Sequence, residues 1–231
     1  MSLRRHNRLW ELDLLRGVAL LLMIVFHLCY DLNVFFHVPV VYDRGPIYFL
    51  GKTAAIMFIF LAGVSANFSR SNWRRGWRLF SLGLGITAVT WLFCPSQVIK
   101  FGILHFLGTA LILVAFLIRL SPLALLALGG GSIWLGLYLA RVRVSRDWLF
   151  FLGLRSDDFY SADYYPLFPW LGILLAGVAV GKVVYREKKS LFPFLEGKFR
   201  LLAAAGSHTL ILYLLHQPVL LAFLYLLLAA R

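Results

Sequence analysis

The sequence predicts an all-α protein, a polytopic membrane bundle of about seven transmembrane helices. Of the 231 residues, 61% are hydrophobic and only 14% are charged, and the mean hydropathy is +0.82. Both properties lie far outside the range of soluble globular proteins. Apolar segments of about 20 residues, enough to cross a bilayer as a helix, cover approximately residues 13–36, 46–68, 77–94, 101–119, 122–140, 166–184 and 207–228.

The first segment is predicted to remain as a membrane helix, because it is longer than a signal-peptide core and lacks a small-residue cleavage site. It carries Asp13, Arg16, His27 and Asp31. At about 100° per residue, the other three lie within about 40° of His27 around the helix. Ionisable groups at membrane depth cost a few kcal/mol and normally face a protein interior or a wet cavity. This helix is therefore expected to line a site.

The later apolar segments differ in how strongly their residues favour a continuous membrane helix. Gly83 and Gly85, like Gly177 and Gly181, are expected to let helices approach closely, whereas the run 129–131 of three glycines weakens the fifth segment. Residues 141–165 set aromatic side chains among charges, which fits an interfacial segment or a lid over an outward-facing site. In the seventh segment, Pro218 removes one helical hydrogen bond beside His216, which fits either a broken helix at a site or only a kink.

The basic residues predict a cytoplasmic N-terminus and an outer C-terminus. The outer side would hold fewer basic residues, with Arg231 among them, and its long loop balances them with aspartates. The net charge of +13 is then explained by basic residues that hold loops on the cytoplasmic side. Membrane lipids are therefore expected as partners, and nucleic acid is not. The inner side would collect Arg4, Arg5, Arg8, Arg70, Arg74, Arg75, Arg78, Arg119, Lys182, Arg186, Lys188, Lys189, Lys198 and Arg200.

No internal repeat and no shift in composition divides the chain, so a single domain over residues 1–231 is predicted. Cys29 and Cys94 have no metal-type neighbours, and no metal is expected. His6 and His208 belong to predicted cytoplasmic ends, where solvation accounts for them.

Histidines are the most informative candidates for chemistry, because a neutral imidazole can take or give a proton. His27, His105 and His216 fall in the central or outer part of the membrane, and they would converge if their helices face one another. Asp31, one turn after His27, could hold its ring in one tautomer. His37, in the first outer loop, fits a surface position or a catalytic one equally well.

Two basic groups allow a structural and a functional interpretation. Asp13 with Arg16 fits a helix-start pair, and Arg16 could also meet an anion from the cytoplasm. The cluster of Arg70, Arg74, Arg75 and Arg78 fits a positive-inside loop first and a phosphate clamp second, since guanidinium binds phosphate in a bidentate fork.

Several motifs together resemble the heparan-alpha-glucosaminide N-acetyltransferase catalytic family, and in particular its bacterial branch. The resemblance covers nearly the whole chain. The motifs are Asp13-Leu-Leu-Arg-Gly17 with Met23, His27-Leu-Cys-Tyr-Asp31, Arg74-Arg-Gly76, Phe101-Gly-Ile-Leu-His105, Asp163-Tyr-Tyr-Pro-Leu-Phe-Pro-Trp-Leu-Gly172 and Ser207-His-Thr-Leu-Ile-Leu-Tyr-Leu-Leu-His-Gln-Pro218.

The resemblance implies an acyltransferase of the bacterial inner membrane that passes an acetyl group from cytoplasmic acetyl-coenzyme A to an amine or hydroxyl of a sugar or glycoconjugate outside. Eukaryotic members carry the catalytic histidine in the loop after the first helix, which His37 matches loosely, and an asparagine where this chain has His27. The chain lacks several helices and a luminal domain of those members, so heparan itself is not the expected acceptor. Assembly of this chain into a homo-oligomer is compatible with the prediction.

The expected catalytic residues are therefore His27, oriented by Asp31, with His216 or His37 stabilising the oxyanion or protonating the thiolate. Transfer could be direct or pass through an acetylated histidine. Residues expected to bind the coenzyme are Asp13, Arg16, Arg74, Arg75, Arg78 and His105.

Two other classes of function fit the same composition. Buried charges and a kinked last helix suit a proton-coupled transporter of small molecules. Intramembrane histidines also suit an electron-transfer protein with bound haem.

Overall fold

The computed structural model describes residues 9–229, and the side chains of residues 9–227. Arg4, Arg5, His6, Arg8 and Arg231 lie outside the described residues. Within the described part the chain is helical, and β-structure is limited to isolated bridges. The α-helices are α1 (Trp10–Val34), α2 (Gly45–Ala66), α3 (Asn72–Phe93), α4 (Ile103–Leu117), α5 (Pro122–Leu139), α6 (Leu167–Val184), α7 (Arg200–Ser207) and α8 (Thr209–Ala229).

The prediction of a polytopic helical membrane protein is confirmed, with a difference in the fourth segment. In the described part of the chain, 6 helices are long and apolar enough to cross a membrane, namely α1, α2, α3, α5, α6 and α8. Helix α4 has 15 residues, a length of about 22 Å at 1.5 Å per residue, against a hydrocarbon core of about 30 Å. The protein is an integral membrane protein.

Two compact units make up the chain. Within the described residues, 9–58 and 187–229 form the first unit, and 59–186 form the second. The single domain over residues 1–231 remains a prediction.

In the first unit, α1 packs along α7 and α8. A Cβ atom on Gly17 would meet the carbonyl oxygen of Leu202, and one on Gly206 would meet the carbonyl oxygen of Asp13. Glycine at both positions therefore lets the two backbones touch. Toward the middle of α1, Leu20 and Met23 form a buried cluster with Ala54 of α2.

The start of α1 is fixed to the segment before α7. The buried carboxylate of Glu11 accepts hydrogen bonds from Ser190 Oγ at 3.0 Å and from the backbone N–H of Leu191 at 2.9 Å. Trp10 Nε1 donates to the same Ser190 hydroxyl at 3.0 Å. A buried charge with several donors is well satisfied, so these contacts set where α1 begins relative to residues 190–191.

In the second unit, three of the four glycines expected to allow close packing do so. A Cβ atom on Gly83 would meet His105, one on Gly177 would meet the carbonyl oxygen of Phe60, and one on Gly181 would meet the side chain of Asn67. A Cβ atom on Gly85 would have no atom within 4 Å.

Helix α5 is continuous through its three glycines. A Cβ atom on Gly129 would lie 3.1 Å from the carbonyl oxygen of Gly172 in α6, whereas the next two glycines have open space around them. Packing on α6 thus offsets the low helix propensity of this stretch.

The loop of residues 141–165 is attached to the start of α4 at one end. Tyr165 N–H donates to the carbonyl of Phe101 at 2.9 Å, and Asp163 Oδ2 accepts from the N–H of Ile103 at 2.9 Å. Asp163 thereby caps α4, which explains why this helix starts at Ile103 and is shorter than its apolar segment. Burial raises the pKa of Tyr164 in the same loop to about 12. Trp148, by contrast, is 76% exposed.

Candidate functional site

The polar face of α1 is largely turned toward protein. Asp31 is completely buried and Asp13 is 7% exposed. Arg16 and His27 are half-buried. The helical period therefore identified a stripe of ionisable groups that the fold shields.

His27 of α1 and His216 of α8 form a contacting imidazole pair. Their ring centroids are 4.7 Å apart and their planes meet at 81°, an edge-to-face arrangement. His27 Nδ1 is hydrogen-bonded to the carbonyl oxygen of Met23 at 2.9 Å, and His216 Nδ1 to that of Tyr213. These two histidines therefore converge, as expected if their helices face each other.

The same hydrogen bonds fix the tautomers of the pair. A carbonyl oxygen can only accept, so Nδ1 carries the proton in each ring when the imidazole is neutral. Nε2 of His27 and Nε2 of His216 are then proton acceptors. Two basic nitrogens with defined orientation thus come from different helices, which is the arrangement that proton transfer needs.

Asp31 has a different role from the expected one. Its carboxylate does not hold the His27 ring, because His27 Nδ1 reaches back one turn to the Met23 carbonyl. Asp31 Oδ1 instead accepts a hydrogen bond from Nε2 of Gln217 in α8. The predicted Asp31–His27 orientation is therefore wrong, and the carboxylate joins α1 to α8.

The four side chains form a two-by-two arrangement, here called the α1–α8 cluster: His27 and Asp31 from α1, His216 and Gln217 from α8. Three of its atoms are buried and have no hydrogen-bond partner within the described residues: Asp31 Oδ2, His216 Nε2 and Gln217 Oε1. A buried polar atom without a partner is costly and rare. The cluster therefore has three buried atoms that could accept hydrogen bonds from a further polar group.

Sequence reasoning did not assign a role to Gln217. The residue lies 186 positions from its partner Asp31, and nothing local marks the contact. The signal that could have found it is its place next to His216 on a helix already expected to carry a site.

Of the two alternatives at Pro218, a broken helix is excluded, because α8 continues through this residue. A proline removes one N–H donor, and the flanking helical turns can hold the helix together. The interruption lies earlier, at His208, where α7 ends and α8 follows.

His37 lies exposed in the turn after α1, with a positive φ of 55°. The N–H of the next residue, Val38, donates to the carbonyl of Leu32 at 2.8 Å, which closes the helix end. Its catalytic role remains a prediction.

His105 has both ring nitrogens engaged inside the second unit. Nδ1 accepts from the N–H of Gly102 at 3.2 Å, so Nε2 carries the proton and donates to Thr87 Oγ1, also at 3.2 Å. Thr87 in turn donates to the carbonyl of Ile99 at 2.6 Å. The buried ring holds the start of α4 through these hydrogen bonds, and a role of His105 in binding the coenzyme remains a prediction.

The two basic groups lie at helix starts. Asp13 and Arg16 form an ion pair of 2.6 Å in the first turns of α1. Arg74 and Arg78 are exposed in the first turns of α3, and Ser71 caps that helix by accepting from the N–H of Arg74 at 3.2 Å. Arginines at a helix N-terminus add to the positive end of the helix dipole, an arrangement that favours a bound anion.

The fold and the cluster define an integral membrane protein with a half-buried imidazole pair between two of its helices. Residues 8–218 match the family described as heparan-alpha-glucosaminide N-acetyltransferase, catalytic. This protein belongs to that family, as the motifs predicted, and membership indicates an acetyltransferase type of activity. A comparison with curated proteins and with solved structures gives no match.

Proposed function

We propose that this protein transfers an acetyl group from acetyl-coenzyme A to an amine or hydroxyl of a sugar or glycoconjugate, within the inner membrane of a bacterium. The observation that carries the proposal is the His27–His216 pair, with ring centroids 4.7 Å apart, in a chain of an acetyltransferase family. The pair supplies two proton acceptors at one place between α1 and α8, next to the hydrogen bond from Gln217 to Asp31.

In this mechanism the acceptor's nitrogen or oxygen attacks the thioester carbonyl carbon, and its proton passes to Nε2 of His27. The carbon–sulfur bond breaks, the electron pair stays on sulfur, and the thiolate takes up the proton. The products are the acetylated acceptor and free coenzyme A. The neighbouring His216 can pass this proton on, and repulsion between adjacent imidazolium ions favours one shared proton over two.

A two-step route uses the same groups. Nε2 of His27 would attack the thioester first and carry the acetyl group to the acceptor. The tautomer assignment supports either route, because the lone pair on Nε2 serves equally as base or nucleophile.

On the donor side, we propose that Arg16, Arg74, Arg75 and Arg78 bind the phosphates of the coenzyme, with Asp13 holding Arg16. The exposed arginines at the start of α3 support this, since they combine guanidinium charge with the positive end of a helix dipole. A cytoplasmic N-terminus would place these residues on the side where acetyl-coenzyme A is made.

The geometry of the pair argues against the haem alternative. Axial imidazoles need an iron porphyrin between them, and edge-to-face contact at 4.7 Å leaves no space for one. Transport remains the alternative that experiment must separate from acetyl transfer.

The deciding experiment uses the full chain in proteoliposomes with acetyl-coenzyme A labelled in its acetyl group. Acetyl transfer predicts a labelled acceptor together with saturable binding of acetyl-coenzyme A to the purified protein. Accumulation of an unmodified sugar without acetylated product would support transport and overturn the proposal.

A further inference from the structure

The α1–α8 cluster contains more hydrogen-bond acceptors than the protein's own donors satisfy. Asp31 Oδ1 is paired with the Gln217 amide, but Asp31 Oδ2 and Gln217 Oε1 are buried without a partner in the described residues. Because these atoms belong to two groups already joined by a hydrogen bond, bond lengths alone keep them close together. Asp31 itself is 0% exposed.

The third unpartnered atom has the same chemical character. His216 Nε2 is buried and, with Nδ1 donating to the Tyr213 carbonyl, can only accept in the neutral ring. A carboxylate oxygen, an amide oxygen and an imidazole nitrogen therefore all require a donor. None of them requires an acceptor.

The Gln217 amide also has its orientation fixed by this pairing. Its nitrogen must face Asp31, since a carboxylate oxygen only accepts, and its oxygen is consequently turned away from the carboxylate as an additional acceptor. A flipped amide would bring two oxygens together.

We infer that Asp31 and Gln217 bind the acceptor substrate, by accepting hydrogen bonds from the N–H or O–H groups at the position to be acetylated. The inference rests on the proposed function and assigns one role to the Asp31–Gln217 pair and another to the two imidazoles. Asp31 and Gln217 hold the acceptor group, while the imidazoles of His27 and His216 take its proton. An ammonium and a hydroxyl group share the donor chemistry, and the ammonium gains additionally from the carboxylate charge. Before it can attack, the ammonium loses one proton to Nε2 of His216, which releases it. The neutral amine then attacks, and its second proton passes through His27 to the thiolate, so that the products are the amide, free coenzyme A and one proton.

The arrangement excludes other ligands from this position. A phosphate or carboxylate group would add acceptors and negative charge beside Asp31, which repels it. A purely apolar group would leave three buried acceptors unsatisfied. The cluster is thus selective for donor groups, and the coenzyme's phosphates must bind elsewhere.

The test compares Gln217→Leu and Asp31→Asn with the wild type, using the full chain in detergent and two probe acceptors, glucosamine and glucose. Gln217→Leu removes both polar atoms at nearly constant volume, and Asp31→Asn removes the charge and one acceptor. Gln97→Leu makes the same chemical change in the second unit, where the Gln97 amide oxygen accepts from Tyr160 at 2.6 Å, and serves as the matched control.

The expected result is a rise in the KM for the sugar of about 10- to 100-fold in Gln217→Leu and Asp31→Asn, because each loses a hydrogen bond to a polar or charged group. Binding of acetyl-coenzyme A and the kcat at saturating sugar should change less than about threefold, a difference in free energy below about 0.7 kcal/mol. A larger effect with glucosamine than with glucose identifies the ammonium as the preferred donor, and equal effects identify the hydroxyl.

Thermal stability measured with each sugar alone provides a readout that does not depend on transfer. Glucosamine or glucose should raise the Tm of the wild type and of Gln97→Leu, and should not raise that of Gln217→Leu or Asp31→Asn. An unchanged KM in both variants, or a wild type that neither sugar stabilises, overturns the inference.

These outcomes separate the two proposals. If the protein binds acetyl-coenzyme A but neither sugar has any effect, the proposed acceptor site at Asp31 and Gln217 is rejected. The binding of the acetyl donor, which is one part of the proposed function, is then retained. Stabilisation by a sugar that depends on Gln217, in a protein that neither binds acetyl-coenzyme A nor transfers acetyl, removes the proposed function and leaves the donor-recognising cluster. If Asp31→Asn fails to fold, Gln217→Leu and the wild-type titration still decide.

Discussion

The side-chain amide of Gln217 in α8 donates a hydrogen bond to the buried carboxylate of Asp31 in α1, across 186 positions of the chain. The contact lies beside the His27–His216 pair, so the residues that hold the two helices together are also those that shape the site. Stability and activity are therefore coupled at this point.

The Gln217–Asp31 pair is expected to behave as a unit in unfolding experiments. Gln217→Leu leaves a buried carboxylate without its donor and should lower the free energy of unfolding by about 1–3 kcal/mol. Asp31→Leu combined with Gln217→Leu removes both partners and should restore part of that loss. Unfolding of the four proteins of this double-mutant cycle in mixed micelles measures the coupling, and additive losses would contradict it.

The imidazole pair predicts unequal losses of activity. His27→Ala removes the proposed base and should lower acetyl transfer by at least about 100-fold. His216→Ala removes the proton-sharing partner and should lower it less, while both variants still bind acetyl-coenzyme A. Transfer kinetics and calorimetric titration measure the two effects, with His208→Ala, at the junction of α7 and α8, as the control. A fully active His27→Ala protein would exclude His27 as the base.

The arginines at the start of α3 predict a salt-dependent donor site. Replacing Arg74, Arg75 and Arg78 together by Gln should raise the KM for acetyl-coenzyme A about 10-fold or more and weaken its dependence on ionic strength, with kcat little changed. Arg146→Gln, in the loop of residues 141–165, removes one positive charge elsewhere and should leave the KM unchanged. If the KM of the triple variant for acetyl-coenzyme A depends on ionic strength as in the wild type, these arginines only determine the orientation of the helices in the membrane.

His105 is expected to matter for stability through its two hydrogen bonds and its buried ring. His105→Ala should lower the free energy of unfolding by about 2–4 kcal/mol, since it removes the hydrogen bonds to Gly102 and Thr87 and leaves a cavity. Thr87→Val removes only the hydroxyl that the ring contacts and should cost about 1 kcal/mol. The KM of the folded fraction of His105→Ala for acetyl-coenzyme A tests the predicted role in the coenzyme site: a raised KM would support that role, and the wild-type KM would limit His105 to holding α4.

The close approach of α1 to α7 predicts a sharp difference between two glycines. Gly17→Ala places a methyl group against the carbonyl oxygen of Leu202 and should lower the Tm by several degrees. Gly85→Ala adds the same methyl group where no atom lies within 4 Å, and the higher helix propensity of alanine should leave the Tm unchanged or raise it. Equal effects of the two substitutions would mean that α1 and α7 do not touch at Gly17.

The sequence predicted the parts of the fold that depend on local periodicity. Apolar segments identified the membrane helices, and the helical period placed His27 and Asp31 on one shielded face. Periodicity gives the face of a helix but not its neighbour, so the contact with His216 could be stated only as a condition. The partner of Asp31 was missed for the same reason.

Other differences arose where a distant residue sets a helix boundary. The apolar run from residue 101 suggested a longer fourth helix, but Asp163 caps α4 at Ile103 from a loop sixty positions away. Similarly, the Met23 carbonyl took the hydrogen bond of His27 that the spacing to Asp31 had suggested. Competition between backbone and side-chain partners is decided by packing, which a single sequence does not report.

The attachment of α1 at both of its ends has a consequence for how the protein is made. Glu11 is held by Ser190 and Leu191, and Asp31 by Gln217. At a synthesis rate of about 5–20 residues per second, about 10–40 s separate the appearance of Asp31 from that of its partner on the ribosome. During that interval the newly inserted first helix must keep its acidic groups away from lipid by other means, and assembly of the first unit is completed only after translation has reached α8.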